Sequence, residues 1–394
     1  MKIGYVIHRF PWPSETFISR EVADIIGLGH EVEIYSFDEP QGRDAELLGD
    51  QARGLKATTQ YISRNEAAAA LPSISTLAMF SEEKRLARTA TDRSNRLLRL
   101  GRAAALARRA RRDGVTLLHA HWPYATQCAH LASLATGLPY SVSIHAHEVA
   151  HDNGHFAACF ERLQFATFCN GAAMEYLLSR LGPAARAKSH LVYHGVDVGT
   201  FSVQPAATTP PPLRILSAGR LTASKGFDRL VRACADAAAQ GVDVRLTILG
   251  RGPEEDTIRK VAAETNFSER IELPGWVSHD KVTGYMRDCQ VFALLASDDF
   301  NDGLPNVVVE AMASGRPVIV SPLPAAREII EPGVNGFILS AVDDRPGFVA
   351  ALAALTVGDT AATMASAARK TVEEQYDSRR HIRTLAALFE SAGR

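Results

Sequence analysis

The chain has 394 residues, of which 46% are hydrophobic and 22% are charged, and its formal net charge is -1. This length predicts two or three domains that each bury a core, and the balanced charge argues against nucleic acid as a partner. The five cysteines are widely spaced without any Cys-x-x-Cys pair, which predicts reduced structural thiols in a cytoplasmic protein. Because no long uncharged apolar stretch occurs, we expect neither a secretory signal nor a membrane-spanning helix.

Short apolar runs alternate with helical segments through most of the chain. The predicted strands of the first half are Lys2–Ile7, Glu31–Phe37, Val115–His119, Tyr140–Ile144, Ala166–Cys169 and Leu191–Tyr193. Those of the second half are Arg214–Ala218, Val244–Leu249, Ile271–Leu273, Val291–Leu295, Pro317–Val320 and Gly336–Leu339. This alternation predicts an α/β fold with two Rossmann-like, doubly wound domains, each with helices on both faces of a mostly parallel sheet.

A proline-rich segment, residues 204–212, interrupts the alternation and predicts an extended connector. We therefore expect an N-terminal domain over residues 1–203 and a C-terminal domain over residues 213–375. Residues 376–394 are predicted to form a helix that packs back on the first domain, and residues 41–113 a mainly helical insertion. Since ligands of such sheets bind beyond the carboxyl ends of the strands, we expect the site in a cleft between two facing domains.

The first strand of the second half leads into a glycine turn that carries two cations. Gly219, Arg220 and Lys225 lie between this strand and the next helix, where backbone N–H groups attract anions. A guanidinium fork and an ammonium group suit a diphosphate, although a solvated basic turn is the alternative. Gly250 and Gly252 mark a second strand-to-helix turn, a weaker signal because any tight turn favours glycine.

A loop rich in Asp and Gly precedes another helix of the second half. Asp302, Gly303, Leu304 and Pro305 lead into this helix, and Glu310 lies about one turn inside it. The helix is otherwise apolar enough to be buried, and a buried carboxylate needs a partner. A ribose diol would be such a partner, and a neighbouring arginine is the alternative.

Several motifs recur in a fixed order along the chain. The second half contains Gly219-Arg220-Leu221…Lys225-Gly226, Gly250-x-Gly252-Pro253 and Asp302-Gly303-Leu304-Pro305…Glu310-Ala311-Met312-Ala313-Ser314-Gly315-Arg316-Pro317-Val318. The first half contains Phe10-Pro11…Ser14-Glu15-Thr16-Phe17…Gly29-His30-Glu31-Val32, His119-Ala120-His121, Ile144-His145-Ala146-His147-Glu148 and His194-Gly195-Val196-Asp197. The chain resembles the retaining glycosyltransferases of family GT4, which have the GT-B fold, and its first half is similar to members that build bacterial exopolysaccharides.

The resemblance implies sugar transfer from a UDP- or GDP-sugar, with retention, to a saccharide or lipid-linked acceptor in bacterial cell-surface polysaccharide synthesis. It implies that Arg220 and Lys225 neutralise the diphosphate and that Glu310 holds the ribose. Asp302, where the family has Glu, and His145 would lie near the donor sugar. Further donor-binding positions would be Gly219, Gly250, Gly252, Gly303, Leu304 and Pro305. Candidates on the acceptor side are Ser14, Glu15, Thr16, His121 and His147. No metal ion or other cofactor is implied, since the two cations would do a metal's work.

A competing motif, His147-Glu148-Val149-Ala150-His151, matches the zinc metalloprotease signature. It starts two residues after a strand and is followed by helix-breaking residues, which favours a loop near the substrate instead. The alternatives to transfer are therefore a nucleotide-sugar epimerase of the same architecture, a zinc hydrolase and a non-catalytic sugar-binding protein.

Residues 84–112 contain eleven Lys or Arg and one acid, Asp92. Apolar residues recur there near helical spacing, which predicts a basic amphipathic helix. Such a helix either contacts an anionic membrane, here the inner face of the cell membrane, or exposes a solvated face.

Overall fold

The computed structural model describes residues 1–89, 96–150, 154–201, 212–297 and 304–393. It contains two compact units. Unit 1 consists of Met1–Tyr193 and Arg379–Arg394, and unit 2 consists of His194–Ser378. The first unit therefore ends earlier than the predicted boundary at residue 203, and residues 204–211 of the predicted connector lie outside the described residues.

The segment after Tyr193 belongs with unit 2 because its backbone is bound there. Val196 forms a parallel bridge with Asp377. The Arg369 guanidinium donates hydrogen bonds to the carbonyl oxygens of Phe201 at 2.8 Å and Val198 at 3.1 Å. These bonds make residues 196–201 part of the second unit before the connector begins.

Unit 1 is built on a seven-stranded parallel sheet in the order β3-β2-β1-β4-β5-β6-β7. Its strands are β1 Lys2–Arg9, β2 Glu31–Asp38, β3 Thr59–Tyr61, β4 Leu117–His121, β5 Tyr140–Ile144, β6 Ala166–Phe168 and β7 Ser189–Leu191. Its helices are α1 Thr16–Gly27, α2 Arg43–Glu46, α3 Asp50–Thr58, α4 Arg64–Ala70, α5 Ile74–Thr89, α6 Arg96–Arg112, α7 Pro123–Thr136, α8 Ala146–Ala150, α9 His155–Phe160, α10 Gly171–Leu181 and α11 Pro183–Arg186. The C-terminal helix, Ser378–Ala392, returns to this unit.

Alternate residues of β1 pack on opposite faces of the sheet, as the strand period of two requires. Tyr5 and Ile7 lie in a cluster with Ile18 and Val22 of α1 and with Phe389 of the C-terminal helix. Val6 faces the other cluster, which α6 and α7 cover. Both faces of the sheet are therefore buried under helices.

Unit 2 is built on a six-stranded parallel sheet in the order β10-β9-β8-β11-β12-β13. Its strands are β8 Leu213–Ala218, β9 Val244–Leu249, β10 Ile271–Gly275, β11 Val291–Leu294, β12 Val318–Val320 and β13 Gly336–Ile338. Its helices are α12 Phe227–Ala239, α13 Glu255–Glu264, α14 His279–Asp288, α15 Asn306–Ala313, α16 Ala326–Ile329, α17 Arg345–Leu355 and α18 Thr360–Gln375, so the C-terminal helix of the chain is α19. The strand order is that of a dinucleotide-binding fold, and the predicted fold class is confirmed for each unit.

Most strands differ from their predicted bounds by one or two residues, and β4 and β7 are shifted at both ends. β4 begins and ends two residues later than predicted, because it continues past His119 to His121, a buried residue whose ring nitrogens are both hydrogen-bonded. β7 covers Ser189–Leu191 instead of Leu191–Tyr193. β3 was not predicted, since alternation over three residues is too short to detect.

The basic helix was predicted to contact a membrane or to expose a solvated face. This prediction is wrong for the side of α6 that packs into unit 1. Arg99 and Arg102 are buried in unit 1, and Arg109 is partly buried there. Each of these three arginines is paired with an acid, so they face neither a membrane nor solvent. The pairs are Arg99–Glu83 at 2.6 Å, Arg102–Asp38 at 2.9 Å and Arg109–Glu66 at 2.6 Å. Among the arginines of α6, only Arg108, Arg111 and Arg112 at its end are exposed.

No single helix among the described residues has the length and apolar character needed to cross a bilayer. One bent pair, Arg345–Leu355 with Thr360–Gln375, meets those two criteria jointly. Several of its residues, such as Leu352 and Ala368, are buried in unit 2, as core helices commonly are.

Candidate functional site

In unit 2 the strand order reverses between β8 and β11, which is where ligands bind in sheets of this kind. The segments that follow these two strands are tied together. The backbone N–H of Ser297 donates to the carbonyl oxygen of Ser224 at 2.7 Å. Arg229 donates from Nη2 to the carbonyl oxygen of Leu295 at 3.0 Å. The chain at this reversal is thus a fixed surface built mainly from backbone.

The two predicted glycine turns of unit 2 pack against each other. A Cβ on Gly250, whose φ is +141°, would overlap the carbonyl oxygen of Gly219, and one on Gly252 would overlap that of Leu221. The backbone N–H of Leu221 also donates to the carbonyl oxygen of Arg251 at 2.9 Å. Only glycine allows this close backbone approach, which accounts for the residues that the sequence singled out.

The two predicted phosphate-binding cations flank the first of these turns. Arg220 is exposed directly after Gly219. Lys225 ends the 3-10 turn Ala223–Lys225, and its Cδ and Cε lie 3.7 Å from the position of a Cβ on Gly219. Both charges are therefore at the carboxyl end of β8, next to the strand reversal, and their role toward a ligand stays a prediction.

The third predicted motif reaches α15 through Pro305, which is buried at the N-terminal end of that helix. Glu310 is buried on α15 with an exposed fraction of 8%, while Leu304 is partly exposed. The burial of Glu310 agrees with the apolar pattern of its helix. Asp302 and Gly303 lie outside the described residues.

In unit 1 the strand order reverses between β1 and β4, and a buried histidine cluster lies there. His121, the last residue of β4, has Nε2 at 3.2 Å from Oε1 of Glu21 and Nδ1 at 3.3 Å from Nε2 of His145. Tyr5 donates its hydroxyl to the same Glu21 oxygen at 3.1 Å. A continuous line of hydrogen bonds therefore runs from α1 through β4 to the end of β5.

His119 is held in a neighbouring branch of this cluster. Its Nδ1 lies 2.8 Å from Oγ of Ser141 and its Nε2 lies 3.0 Å from Oγ of Ser143. The Nε2 is also 3.6 Å from Oε1 of Glu21. His119 is thus a core histidine whose two ring nitrogens are both hydrogen-bonded.

His145 is enclosed by aromatic rings as well as by His121. Its ring centroid lies 4.5 Å from that of Trp122 and 5.2 Å from that of Phe17. The Trp122 indole N–H in turn donates to Oε2 of Glu15 at 3.1 Å. The predicted site residues Glu15, His121 and His145 therefore meet at one edge of the unit 1 sheet.

Four titratable groups in and beside this cluster have shifted pKa values, and burial raises that of Tyr5 well above its usual value. Burial alone would raise the pKa of Glu21, but the positive charge and hydrogen bonds of His121 and His119 hold it well below its usual range. Burial lowers the pKa of His119 although Glu21 opposes this. Burial raises the pKa of the Glu148 carboxyl well above its usual value. Neither oxygen of Glu148 makes a hydrogen bond of normal geometry to a described residue.

The remaining predicted residues of unit 1 are less enclosed or undescribed. Ser14 and Thr16 are exposed near the start of α1. The side chain of His147 and all of His151 lie outside the described residues, so the proposed zinc pair has no described geometry. The expected loop at residues 147–150 is instead the short helix α8, whose first turn forms as Glu148 and Val149 donate their N–H groups to the His145 carbonyl oxygen.

The sequence interpretation missed Glu21 and Trp122. Glu21 falls three residues after Ile18 and one before Val22, on the apolar face of α1, and a charge on such a face is a detectable signal. Trp122 has a φ of +74°, a conformation that residues other than glycine seldom adopt and that often marks functional sites. Nothing in its sequence neighbourhood indicates that strain.

Close ligand atoms in unit 1 also raise the possibility of a metal site. Three such atoms lie within 4.8 Å of one another: a carboxylate oxygen of Glu21 and one ring nitrogen each of His119 and His121. Each of these atoms already has a hydrogen-bond partner inside the cluster, however, and both histidines are completely buried. Direct hydrogen bonds therefore account for the grouping, and we assign no metal to it.

Family models match both halves of the chain. The model described as Glycosyltransferase Family 4 matches residues 14–200, and the model described as Glycosyl transferases group 1 matches residues 212–356. WcaL of Salmonella typhimurium, named for colanic acid biosynthesis, is 27% identical over 99% of this chain and all of its own length. The amylovoran biosynthesis glycosyltransferase AmsK of Erwinia amylovora is 25% identical over 99% of each chain.

Solved structures give the same result for the architecture. The Anabaena protein HepE, crystallised with UDP-glucose, superposes with a TM-score of 0.75 over 99% of this chain and 100% of its own, at 16% identity. The apo form of the lipopolysaccharide outer core galactosyltransferase WaaB gives a TM-score of 0.71 over 99% of each chain, at 18% identity. Together with the two matching family models, these likenesses show that the chain is a glycosyltransferase with the GT-B architecture.

Proposed function

We propose that the protein is a retaining GT4 hexosyltransferase that moves a sugar from a UDP- or GDP-sugar to a saccharide or lipid-linked acceptor, in bacterial cell-surface polysaccharide synthesis. The observation that carries this proposal is the pair of packed glycine turns at the strand reversal of unit 2, with Arg220 and Lys225 beside them. The names of WcaL and AmsK, which refer to exopolysaccharides, support the assignment to polysaccharide synthesis. The proposal includes a cytoplasmic location, peripheral to the membrane if the acceptor is lipid-linked.

The chemistry of the proposed reaction fits these residues. As the bond between sugar and diphosphate breaks, negative charge grows on the diphosphate and positive character grows on the sugar ring. Fixed cations and backbone N–H groups that meet the growing negative charge commonly make the largest contribution to catalysis. Arg220 and Lys225 supply those charges, Glu310 holds the ribose, and the reaction therefore requires no divalent metal ion.

The donor can be identified by thermal unfolding in the presence of UDP, GDP, UDP-glucose and GDP-mannose. A ligand that binds the folded state at a hundred times its Kd adds about 2.7 kcal/mol to the free energy of unfolding. We expect one base to raise the Tm and the other to leave it unchanged. If no nucleotide changes the Tm at any concentration, the proposed donor site is wrong.

The type of reaction is tested with the nucleotide sugar that binds. Product analysis by NMR is expected to show a lengthened glycan whose new linkage has the anomeric configuration of the donor. Inversion of that configuration would contradict the retaining assignment, and epimerised donor without a new glycan would identify an epimerase. Activity that survives a strong chelator is expected, whereas loss restored by zinc would favour the hydrolase.

A further inference from the structure

We propose that His8 binds the saccharide acceptor: Asp38 holds its ring in place, and its Nδ1 accepts a hydrogen bond from an acceptor hydroxyl group. The inference rests on the proposed function, because it takes the transfer to a saccharide from there. It extends that function to a residue outside the sequence motifs.

His8 lies at the edge of the unit 1 sheet where the strand order reverses. Its neighbour Ile7 is the register partner of His121, so His8 follows directly beyond that pair at the carboxyl end of β1. Side chains alternate along a strand, and His8 therefore shares the side of Val6, which α6 and α7 cover. Its ring stacks on Tyr124 of α7 with centroids 4.7 Å apart. His8 is thus the residue of β1 that lies nearest the ligand-binding edge on this side of the sheet.

The carboxylate beside His8 is fixed by a buried arginine. Nη2 of Arg102 donates to Oδ1 of Asp38 at 2.9 Å and to the carbonyl oxygen of Phe37 at 3.0 Å. Nη1 of the same guanidinium donates to the Tyr124 hydroxyl at 3.3 Å. Arg102 is 4% exposed, so its charge requires a carboxylate partner. This pairing occupies one oxygen of Asp38 and leaves the other for His8.

The second oxygen of Asp38 orients the imidazole ring. Nε2 of His8 lies 3.2 Å from Oδ2 of Asp38. Burial lowers the pKa of His8 from 6.5 although Asp38 opposes this, and the charges of Arg102 and Arg9 add to the lowering, so the neutral ring predominates at neutral pH. Since a carboxylate can only accept, the one ring proton is on Nε2, and Nδ1 is an acceptor.

The acceptor nitrogen of His8 belongs to a side chain that a ligand can reach. The His8 side chain is 43% exposed, although Arg102 behind Asp38 is buried. Among the described residues, no polar atom is hydrogen-bonded to Nδ1 of His8. The pair of Arg102 and Asp38 would be complete without His8, so neutralisation of the arginine does not explain why the ring is held. A partly exposed ring that a carboxylate fixes in one tautomer is instead suited to accept a proton donor of a ligand.

The first experiment is NMR of the full-length protein at neutral pH with ¹⁵N-labelled histidine rings. The His8 signals are assigned by their disappearance in His8→Gln, and we expect a protonated Nε2 and an unprotonated Nδ1. The methyl α-glycosides of glucose, galactose and mannose are then added one at a time. At least one of them should shift the Nδ1 signal of His8, whereas the signals of His190, a partly exposed histidine on β7, should stay in place.

The second experiment measures transfer to the glycoside that shifts the His8 signal. His8→Gln keeps an amide N–H group that can reach Asp38 but has no acceptor in place of Nδ1. We expect the KM for the glycoside to rise about tenfold, the size of one hydrogen bond, while kcat changes little. A purely structural role of His8 would instead lower the Tm and leave this KM unaltered. His190→Gln is the matched control and should leave both constants at their wild-type values.

Three results would overturn the inference. These are a wild-type His8 protonated on Nδ1, His8 signals that none of the three glycosides shifts, or an unchanged KM for the glycoside in folded His8→Gln. If circular dichroism shows that His8→Gln does not fold, His8→Phe, which keeps a ring against Tyr124, replaces it in both experiments. The NMR titration needs no donor and nucleotide binding at unit 2 needs no acceptor, so failure of this inference and failure of the proposed donor site are distinguishable.

Discussion

At the end of β4 in unit 1, His121 is buried and both of its ring nitrogens are hydrogen-bonded. At the end of β8 in unit 2, Gly219 has no side chain and the adjacent Arg220 is exposed. Both positions lie at the strand reversal of a parallel sheet, so the same topology carries two different kinds of site. Unit 1 therefore offers a preformed set of hydrogen-bonded side chains, while unit 2 offers backbone surface and nearby charge.

If the cations of unit 2 act on the diphosphate and not on the fold, Lys225→Ala should slow transfer with little change in Tm. The loss should be about 100- to 1000-fold, corresponding to 2.7–4 kcal/mol for a contact made mainly in the transition state. Lys260→Ala, which removes an exposed lysine of the same unit, is the matched control. Equal activity of the two folded variants would remove Lys225 from the site.

The backbone character of the unit 2 site is tested by Gly250→Ala. The added Cβ would overlap the carbonyl oxygen of Gly219, so the turns must separate, at a cost of about 1–3 kcal/mol of stability. Nucleotide binding, measured by calorimetry, should weaken as well. Gly284→Ala on α14 meets nothing within 4 Å and should leave binding and stability close to wild type. Similar effects of both substitutions would contradict the close packing of the turns.

The buried histidines should make unit 1 the more acid-sensitive unit. Burial lowers the pKa of His119 and His130 from 6.5, so the unfolded chain binds more protons below that pH. Stability is therefore full above pH 6.5 and falls as the pH drops, by up to about 1.4 kcal/mol for each histidine in the first pH unit. Denaturant unfolding of Trp276→Phe, which leaves Trp12 and Trp122 as reporters of unit 1, measures this. A midpoint independent of pH between 7.5 and 5.5 would show that these histidines are not titrated on unfolding.

The smallest expected effect concerns Glu148, where the pH dependence has the opposite sign. Its raised pKa costs stability at neutral pH, and that cost disappears as the pH falls below the ordinary carboxyl value of 4.5. Glu148→Gln should therefore stabilise the protein at pH 7 by on the order of 1 kcal/mol, and much less at pH 4.5. Chemical denaturation at the two pH values is the measurement. Destabilisation at pH 7 would mean that the carboxyl has a partner that glutamine does not replace.

The sequence predicted the parallel sheets and the glycine turns because both rest on local patterns. Strands such as β5 and β9 appear with their predicted bounds, since continuous apolar runs between turn residues define them. The extension of β4 to His121 was missed because the partners of this buried histidine, Glu21 on α1 and His145 after β5, are distant in sequence. Tertiary pairing also decided the orientation of the α6 arginines, which composition alone assigned to the surface.

The candidate site was predictable from the sequence to a similar extent as the fold. Gly219, Gly250 and Lys225 lie where a strand-to-helix turn puts them, so their proximity follows from the order of the elements. The contact between Glu21 and His121 does not, because a charge on the apolar face of α1 shows only that a buried partner exists. Which residue supplies that partner depends on the packing of three separate elements, and one sequence does not contain that information in a local form.

The return of α19 to unit 1 has a consequence for the order in which the molecule completes itself during synthesis. Phe389 lies 5.0 Å from the ring of His119 and 6.3 Å from that of Tyr5, measured between centroids, and both of these residues are made long before it. All of unit 2 must leave the ribosome in between, which at about 5–20 residues per second takes on the order of ten seconds or more. The nascent sheet therefore waits with this apolar face covered only in part, by α1, while unit 2 can already fold. The first residues of the histidine cluster are synthesised early, whereas α19, which completes the cover of the same face of the sheet, is synthesised last.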